Sequence, residues 1–131
     1  MPKNAREKML EMLKLNKRDV FYDVGCGNGQ LLLEASPLVK KAIGIEIDPV
    51  RFLISRSRTR KMRNIRIIRG NLFRQNLSSA TKMAVFLSPE TNARLGEKIR
   101  KNAKAASYKW PIPGMKLIKH DAKNRIYLYG R

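Results

Sequence analysis

The stretch Val20-Phe21-Tyr22-Asp23-Val24-Gly25-Cys26-Gly27-Asn28-Gly29-Gln30 decides the fold. Val20-Phe21-Tyr22 reads as a short buried strand, and Gln30 to Ser36 reads as a helix ended before Pro37. Three glycines lie between the two. In an open α/β sheet, ligands bind at the carboxyl ends of strands, and glycines there let backbone approach the ligand closely. The spacing Gly25-x-Gly27-x-Gly29 brings the third glycine too early for the G-x-G-x-x-G dinucleotide fingerprint, and no G-K-[ST] follows for a P-loop. The segment therefore points to a nucleotide-like ligand over the first strand, with NAD and ATP disfavoured.

The flanking chain alternates. Residues from about Asn4 to Leu15 form a helical stripe of Ala5, Met9, Met12 and Leu13, with Asn4 as the expected N-cap. Ala42 to Ile45 is a second strand, and Glu46 at its end lies 17 residues beyond Gly29. A carboxylate at that place accepts hydrogen bonds from both ribose hydroxyls of an adenosine, with Asp48 its nearby rival. Pro49 opens a helix whose inner face is expected to be Val50, Leu53 and Ile54, with arginines on the other side. Strands follow at Ile65 to Ile68 and Met83 to Leu87. A helix is expected from Pro89 to about Lys104, with Ala93 and Ile99 facing inward. Ala105 to Tyr108, Met115 to Lys119 and Arg125 to Tyr129 read as strands, the last two parted by a turn that includes His120. Alternation closed by a hairpin predicts an α/β sheet of parallel strands with one antiparallel member.

Length and composition bound the rest. A chain of 131 residues is the size of one ordinary domain, which must then hold cofactor and substrate together. No apolar run is long enough to span a membrane, and the N-terminus lacks the apolar core of a signal peptide. One cysteine and one histidine leave no basis for a disulfide, a zinc site or a Ser-His-Asp triad, so no metal is expected and a cytoplasmic, reducing setting is. Trp110 with Tyr108, Pro111 and Pro113 is either an aromatic lip for substrate or a packed strand end.

The combination D-V-G-C-G-N-G and I-E-I-D resembles motifs I and II of the class I, or seven-β-strand, S-adenosylmethionine (SAM)-dependent methyltransferases. The run Gly70-Asn71-Leu72-Phe73, then Ala84-Val85-Phe86-Leu87 with Thr91-Asn92, Ser107 to Gly114 and Tyr127-Leu128-Tyr129 are similar to the small archaeal and mitochondrial protein lysine methyltransferases. The resemblance implies a Rossmann-like sheet of order 3-2-1-4-5-7-6 with the last strand antiparallel, SAM over the first two strands, and a lysine ε-amine as acceptor. It also implies a cofactor set of Asp23, Gly25, Cys26, Gly27, Gly29, Glu46, Ile47, Asn71, Leu72 and Leu87. In that set Asp23 and Gly25 face the methionine end, Glu46 the ribose and Asn71 the adenine edge, with Phe73 near the purine. Ser88, Glu90, Thr91 and Asn92 are implied as the acceptor slot.

Charge adds a second line. The 29 Lys and Arg against 10 Asp and Glu give +19, and no acidic residue occurs from Pro49 to Pro89. Arg51, Arg56, Arg58, Arg60, Lys61 and Arg63 fall in this window as a candidate nucleic-acid contact, against the alternative of a solvated basic face. A partner that is acidic or already bound to nucleic acid would relieve the repulsion. The competing readings are an RNA methyltransferase and a basic RNA-binding protein that keeps SAM only as a ligand. Ser88-Pro89-Glu90 lacks the aromatic platform of the [DN]-P-P-[YFW] amine methylases, and Cys26 sits in the cofactor loop rather than near a target base.

Overall fold

Parallel pairing carries the chain across one sheet, which the computed structural model describes for residues 1–130. The strands are β1 (Val20–Val24), β2 (Lys41–Glu46), β3 (Ile65–Arg69), β4 (Lys82–Val85), β5 (Lys104–Tyr108), β6 (Leu117–Asp121) and β7 (Ile126–Tyr129). Their spatial order is β3-β2-β1-β4-β5-β7-β6, with β7 antiparallel to both its neighbours. This is the expected α/β order. It places the carboxyl ends of β1, β2 and β4 side by side, since Val24 pairs with both Ile45 and Val85.

Alternation along the strands divides the core between two faces. Phe21, Ala42, Ala84 and Ala106 point to one side, under helices α1 (Lys3–Leu13) and α2 (Gln30–Ala35). Tyr22, Ile45, Met83 and Ala105 point to the other, with Leu95 of α4 (Pro89–Leu95), Ile99 and Ile112 over them. At the far end of the sheet Asp19 accepts from Lys82 Nζ at 2.9 Å and from Thr81 Oγ1 at 2.8 Å, closing β1 on β4 away from the glycine loop.

Several local expectations change. Pro2, not Asn4, occupies the N-cap of α1, and Asn4 lies in its first turn. Helix α4 ends at Leu95 rather than near Lys104, and Gly96 just beyond it lies so close to Pro113 that a Cβ would meet its carbonyl oxygen at 2.4 Å. Asn92 and Leu95 face inward there while Ala93 is exposed, although Ile99 stays buried beyond the helix. His120 belongs to β6 rather than to the turn, stacked on Tyr127 with centroids 4.1 Å apart.

The largest change is in α3 (Pro49–Thr59), which is capped by Asp48 with Pro49 at its first turn. Its buried residues are Ser55 and Thr59, whereas Val50, Leu53 and Ile54 are exposed. Small polar side chains face inward because Gly29 packs there, its missing Cβ lying 3.2 Å from Ser55 Cβ and from Thr59 Cγ2.

Candidate functional site

The two strand ends that meet at Val24 and Ile45 are tied together by the backbone. Gly25 N and Cys26 N both donate to Ile45 O, at 2.8 and 3.1 Å, so the glycine loop begins as a continuation of the β1–β2 ladder. Glu46, one residue further along β2, is 5% exposed and accepts from Gly27 N through Oε1 at 2.8 Å and from Asp48 N through Oε2 at 3.0 Å. Its carboxylate thus holds the crest of the loop as well as the start of α3. Gly25 is required by its φ of +76° and by Leu87, whose Cδ2 would stand 2.9 Å from an added Cβ.

Above these strand ends lie two adjoining cavities of ≈ 490 and ≈ 380 Å³ that share Gly25, Arg51 and Phe86 in their walls. Asp23, Cys26 and Gly27 belong to the first, together with Met1 and Arg6 of the N-terminal segment. Glu46, Ile47, Asn71, Leu72 and Leu87 belong to the second, with Phe73, Thr91 and Arg94. Nine of the ten residues expected to hold cofactor therefore converge, and Gly29 lies beneath them as the N-cap position of α2. The first cavity is the more polar, and the second sets Ile47, Leu72, Phe73 and Leu87 beside Glu46, Asn71 and Arg94. A polar tail and a flat purine joined by a ribose at Glu46 fit this division. Asn71 Oδ1 accepts from Phe73 N at 2.9 Å, which turns the chain so that Phe73 enters the wall, and the Arg94 guanidinium covers that ring at 3.9 Å.

Burial dominates the electrostatics. It pushes the Asp23 carboxyl up to about 7, with the neighbouring Glu46 charge adding to the effect. The Cys26 thiol is pushed up to about 12, first by burial and then by Asp23 and Glu46, against a smaller opposing hydrogen bond with Ser55. Cys26 is a protonated thiol at neutral pH and lacks the thiolate needed for nucleophilic catalysis.

The four residues expected to form the acceptor slot separate. Thr91 lines the cleft. Ser88 is the N-cap of α4, accepting from Thr91 N at 3.2 Å and sharing a hydrogen bond with Thr91 Oγ1 at 2.9 Å. Glu90 is exposed in the first turn of that helix. Asn92 is fully buried, and its Nδ2 donates to Trp110 O at 3.2 Å and Pro111 O at 3.1 Å, which fixes the segment after β5 from below.

Phe86 is a cleft residue that, like Met1, Arg6 and Arg94, the sequence reading did not place in the site. It sits exposed just beyond β4, in the walls of both cavities and edge-on to Tyr108 at 4.9 Å. Its signal was its place at the end of the strand beside the glycine loop, hidden in the apolar run Ala84-Val85-Phe86-Leu87. Arg51, Arg56, Arg58, Arg60, Lys61 and Arg63 are all exposed on α3 and the turn after it. Arg58 donates to Asn28 O at 2.9 Å and Arg51 lies 3.8 Å from Asp48, so two of the six are partly engaged within the chain. Among the described residues no helix is long and apolar enough to cross a membrane.

Residues 23–119 match the model described as the ANTKMT methyltransferase domain. The protein-lysine N-methyltransferase of Saccharolobus islandicus (strain REY15A) is 31% identical over 129 residues, spanning 95% of this chain and 75% of the relative. An RNA methyltransferase from Salinibacter ruber, solved with S-adenosyl-L-homocysteine, superposes with a TM-score of 0.87 over 98% of this chain and 90% of that one, at 24% identity. A dimethyladenosine transferase from Plasmodium falciparum superposes at 0.74 over 81% of this chain and 41% of that one, at 20% identity. At those identities the two structures speak for the shared fold.

Proposed function

The chain belongs to the ANTKMT methyltransferase domain family and is a SAM-dependent methyltransferase, and from that premise we propose that it methylates the ε-amines of protein lysines. The observation that carries the lysine is the 31% identity, along 95% of the chain, to a protein-lysine N-methyltransferase. When bound, SAM supplies an electrophilic methyl group on a sulfonium. The residues of the cleft suit that molecule: Glu46 stands ready for the ribose hydroxyls, Ile47, Leu72 and Leu87 flank the place for the base, Asn71 its edge, and Asp23 and Gly25 the amino-acid end.

Catalysis in this reading is chiefly positioning. Methyl transfer from sulfur to nitrogen is an in-line displacement that needs neither a metal nor a covalent enzyme intermediate. The acceptor amine has a reference pKa of about 10.4 and must be neutral to attack. Desolvation of the amine as it enters beside Phe86 and Thr91 and the surrounding positive charge would both favour its neutral form. The same charge repels basic peptides, so the acceptor is proposed to be acidic or bound to nucleic acid, in the cytoplasm.

The exposed arginines of α3 favour a second reading, an RNA methyltransferase. One experiment separates the two. Radiolabelled SAM is incubated with the protein and cell extract, which is then treated with RNase or protease. Lysine methylation predicts protease-sensitive label, added multiples of about 14 Da on lysines by mass spectrometry, and a rate rising towards about pH 9 as more amine is neutral. Label found only in RNase-sensitive material overturns the lysine assignment.

A further inference from the structure

Helix α3 carries its aliphatic residues on the side away from the protein. With 3.6 residues per turn, Ser55 and Thr59 stack on one face, and that face is seated on Gly29. Val50, Leu53 and Ile54 then fall opposite, 63%, 61% and 44% exposed. Single exposed aliphatics are ordinary on protein surfaces, but three at i, i+3 and i+4 make a continuous ridge. Arg58 flanks the ridge on one side and Arg56 on the other, both exposed. Its first turn is at the cleft, where Arg51 forms part of both cavity walls.

We propose that the Val50, Leu53 and Ile54 ridge, with Arg56 and Arg58 beside it, is a docking surface for an acidic amphipathic segment of the acceptor protein. The inference rests on the protein-acceptor reading. Charge and apolarity together select the occupant. A partner that covers the ridge must bring apolar side chains, and one that sits among arginines in a stretch with no acid from Pro49 to Pro89 must bring carboxylates. A second copy supplies the first and fails the second, since each carries +19. RNA supplies negative charge, but single-stranded bases stack on exposed aromatic rings, and the one aromatic residue of α3, Phe52, is half-buried. An acidic protein segment meets both requirements, and docking at the rim delivers its neighbouring chain to the cleft.

The test uses the full chain loaded with SAM and a labelled acidic peptide of about five helical turns, with leucines at i, i+3, i+4 and i+7 among glutamates. A charge-matched twin carries serine in place of leucine. Fluorescence anisotropy at physiological ionic strength compares wild type with V50S/L53S/I54S and R56S/R58S. On wild type the leucine peptide should bind about tenfold or more tighter than its twin, and that advantage should shrink to about twofold or less in V50S/L53S/I54S. R56S/R58S should weaken both peptides alike. An unchanged SAM affinity in V50S/L53S/I54S shows that its fold is intact, since the ridge side chains are already in water. A leucine advantage that survives in V50S/L53S/I54S overturns the proposal. So does ridge dependence seen instead with single-stranded RNA, with phosphatidylglycerol vesicles, or as a dimer that the variant dissolves. Binding is read here without methyl transfer, so failure of docking is distinct from label that falls on RNA.

Discussion

Glu46 accepts the backbone N–H of Gly27 at 2.8 Å across the gap between β2 and the glycine loop. The acid proposed for the ribose is therefore also the clasp of the loop proposed for the rest of the cofactor. Its second oxygen holds Asp48 N, at the entry to α3. On this proposal cofactor binding and loop order share one carboxylate.

Replacing Glu46 tests both roles. Glu46→Ala leaves two half-buried N–H groups without their acceptor and is expected to lower stability by about 1–3 kcal/mol while weakening SAM tenfold or more. Glu46→Gln keeps one of the two acceptors and sets an NH2 against the other N–H, so it should recover only part of the stability and little of the affinity. Melting curves and calorimetry read the two separately; unaltered SAM binding in both variants would remove Glu46 from the ribose.

Asp23 predicts a pH dependence. In the unfolded chain an aspartate titrates at about 3.9, whereas burial and Glu46 push this one up to about 7 when folded. The folded state then holds an extra proton between those values. The stabilisation from Asp23 is full below the unfolded pKa and is lost as pH rises towards and through about 7. Melting temperatures of the cofactor-free protein, taken relative to Asp23→Asn, should fall from about pH 4 to about pH 7 and then level. A difference that stays flat over that window would mean that Asp23 ionises normally.

Asn92 is proposed to act on the acceptor side through the Trp110–Pro111 segment that it holds. Asn92→Ala removes the donors to Trp110 O and Pro111 O, and should cost about 1–3 kcal/mol of stability and lower kcat with little change in SAM affinity. Asn92→Asp cannot donate to those carbonyls and should be no better. Single-turnover rates beside SAM titrations check this; full activity in Asn92→Ala would show that Trp110 and Pro111 need no anchor.

Gly44 is absent from the cavity walls, yet a Cβ there would meet Leu32 Cδ1 at 2.5 Å and Cys26 Sγ at 2.8 Å. Gly44→Ala should push the glycine loop from behind, costing about 1–3 kcal/mol and weakening SAM as well. Thermal unfolding and a SAM titration decide it, and wild-type values in both would mean that the loop yields freely.

The basic helix predicts salt-dependent binding of RNA or DNA with little sequence preference. Substituting Ser for Arg56, Arg58 and Arg60 together should flatten the dependence of log affinity on log salt, and the Arg56 and Arg60 pair alone should do so with SAM affinity unchanged, since only Arg58 also holds Asn28 O of the glycine loop. Absence of binding by the wild type at low ionic strength would identify the arginines as a solvated surface.

The glycine loop and Glu46 were legible in the chain itself, because residues that join adjacent strand ends to a nucleotide are close in sequence and limited in type. Strand alternation and the multi-block resemblance carried the sheet order, which the structure reproduces with β7 antiparallel. What remained hidden depends on neighbours distant in sequence. Periodicity locates an apolar stripe on α3 but says nothing of which side meets the protein; the bare Cα of Gly29 chose Ser55 and Thr59 and left Val50, Leu53 and Ile54 in water. Helix α4 stops where Gly96 touches Pro113, and Asn92 turns inward to carbonyls 18 and 19 residues away. Phe86 enters the cleft because Tyr108, on a different strand, supports its ring. A local pattern specifies what an element is; the packing of elements from elsewhere in the chain specifies which of its faces is used.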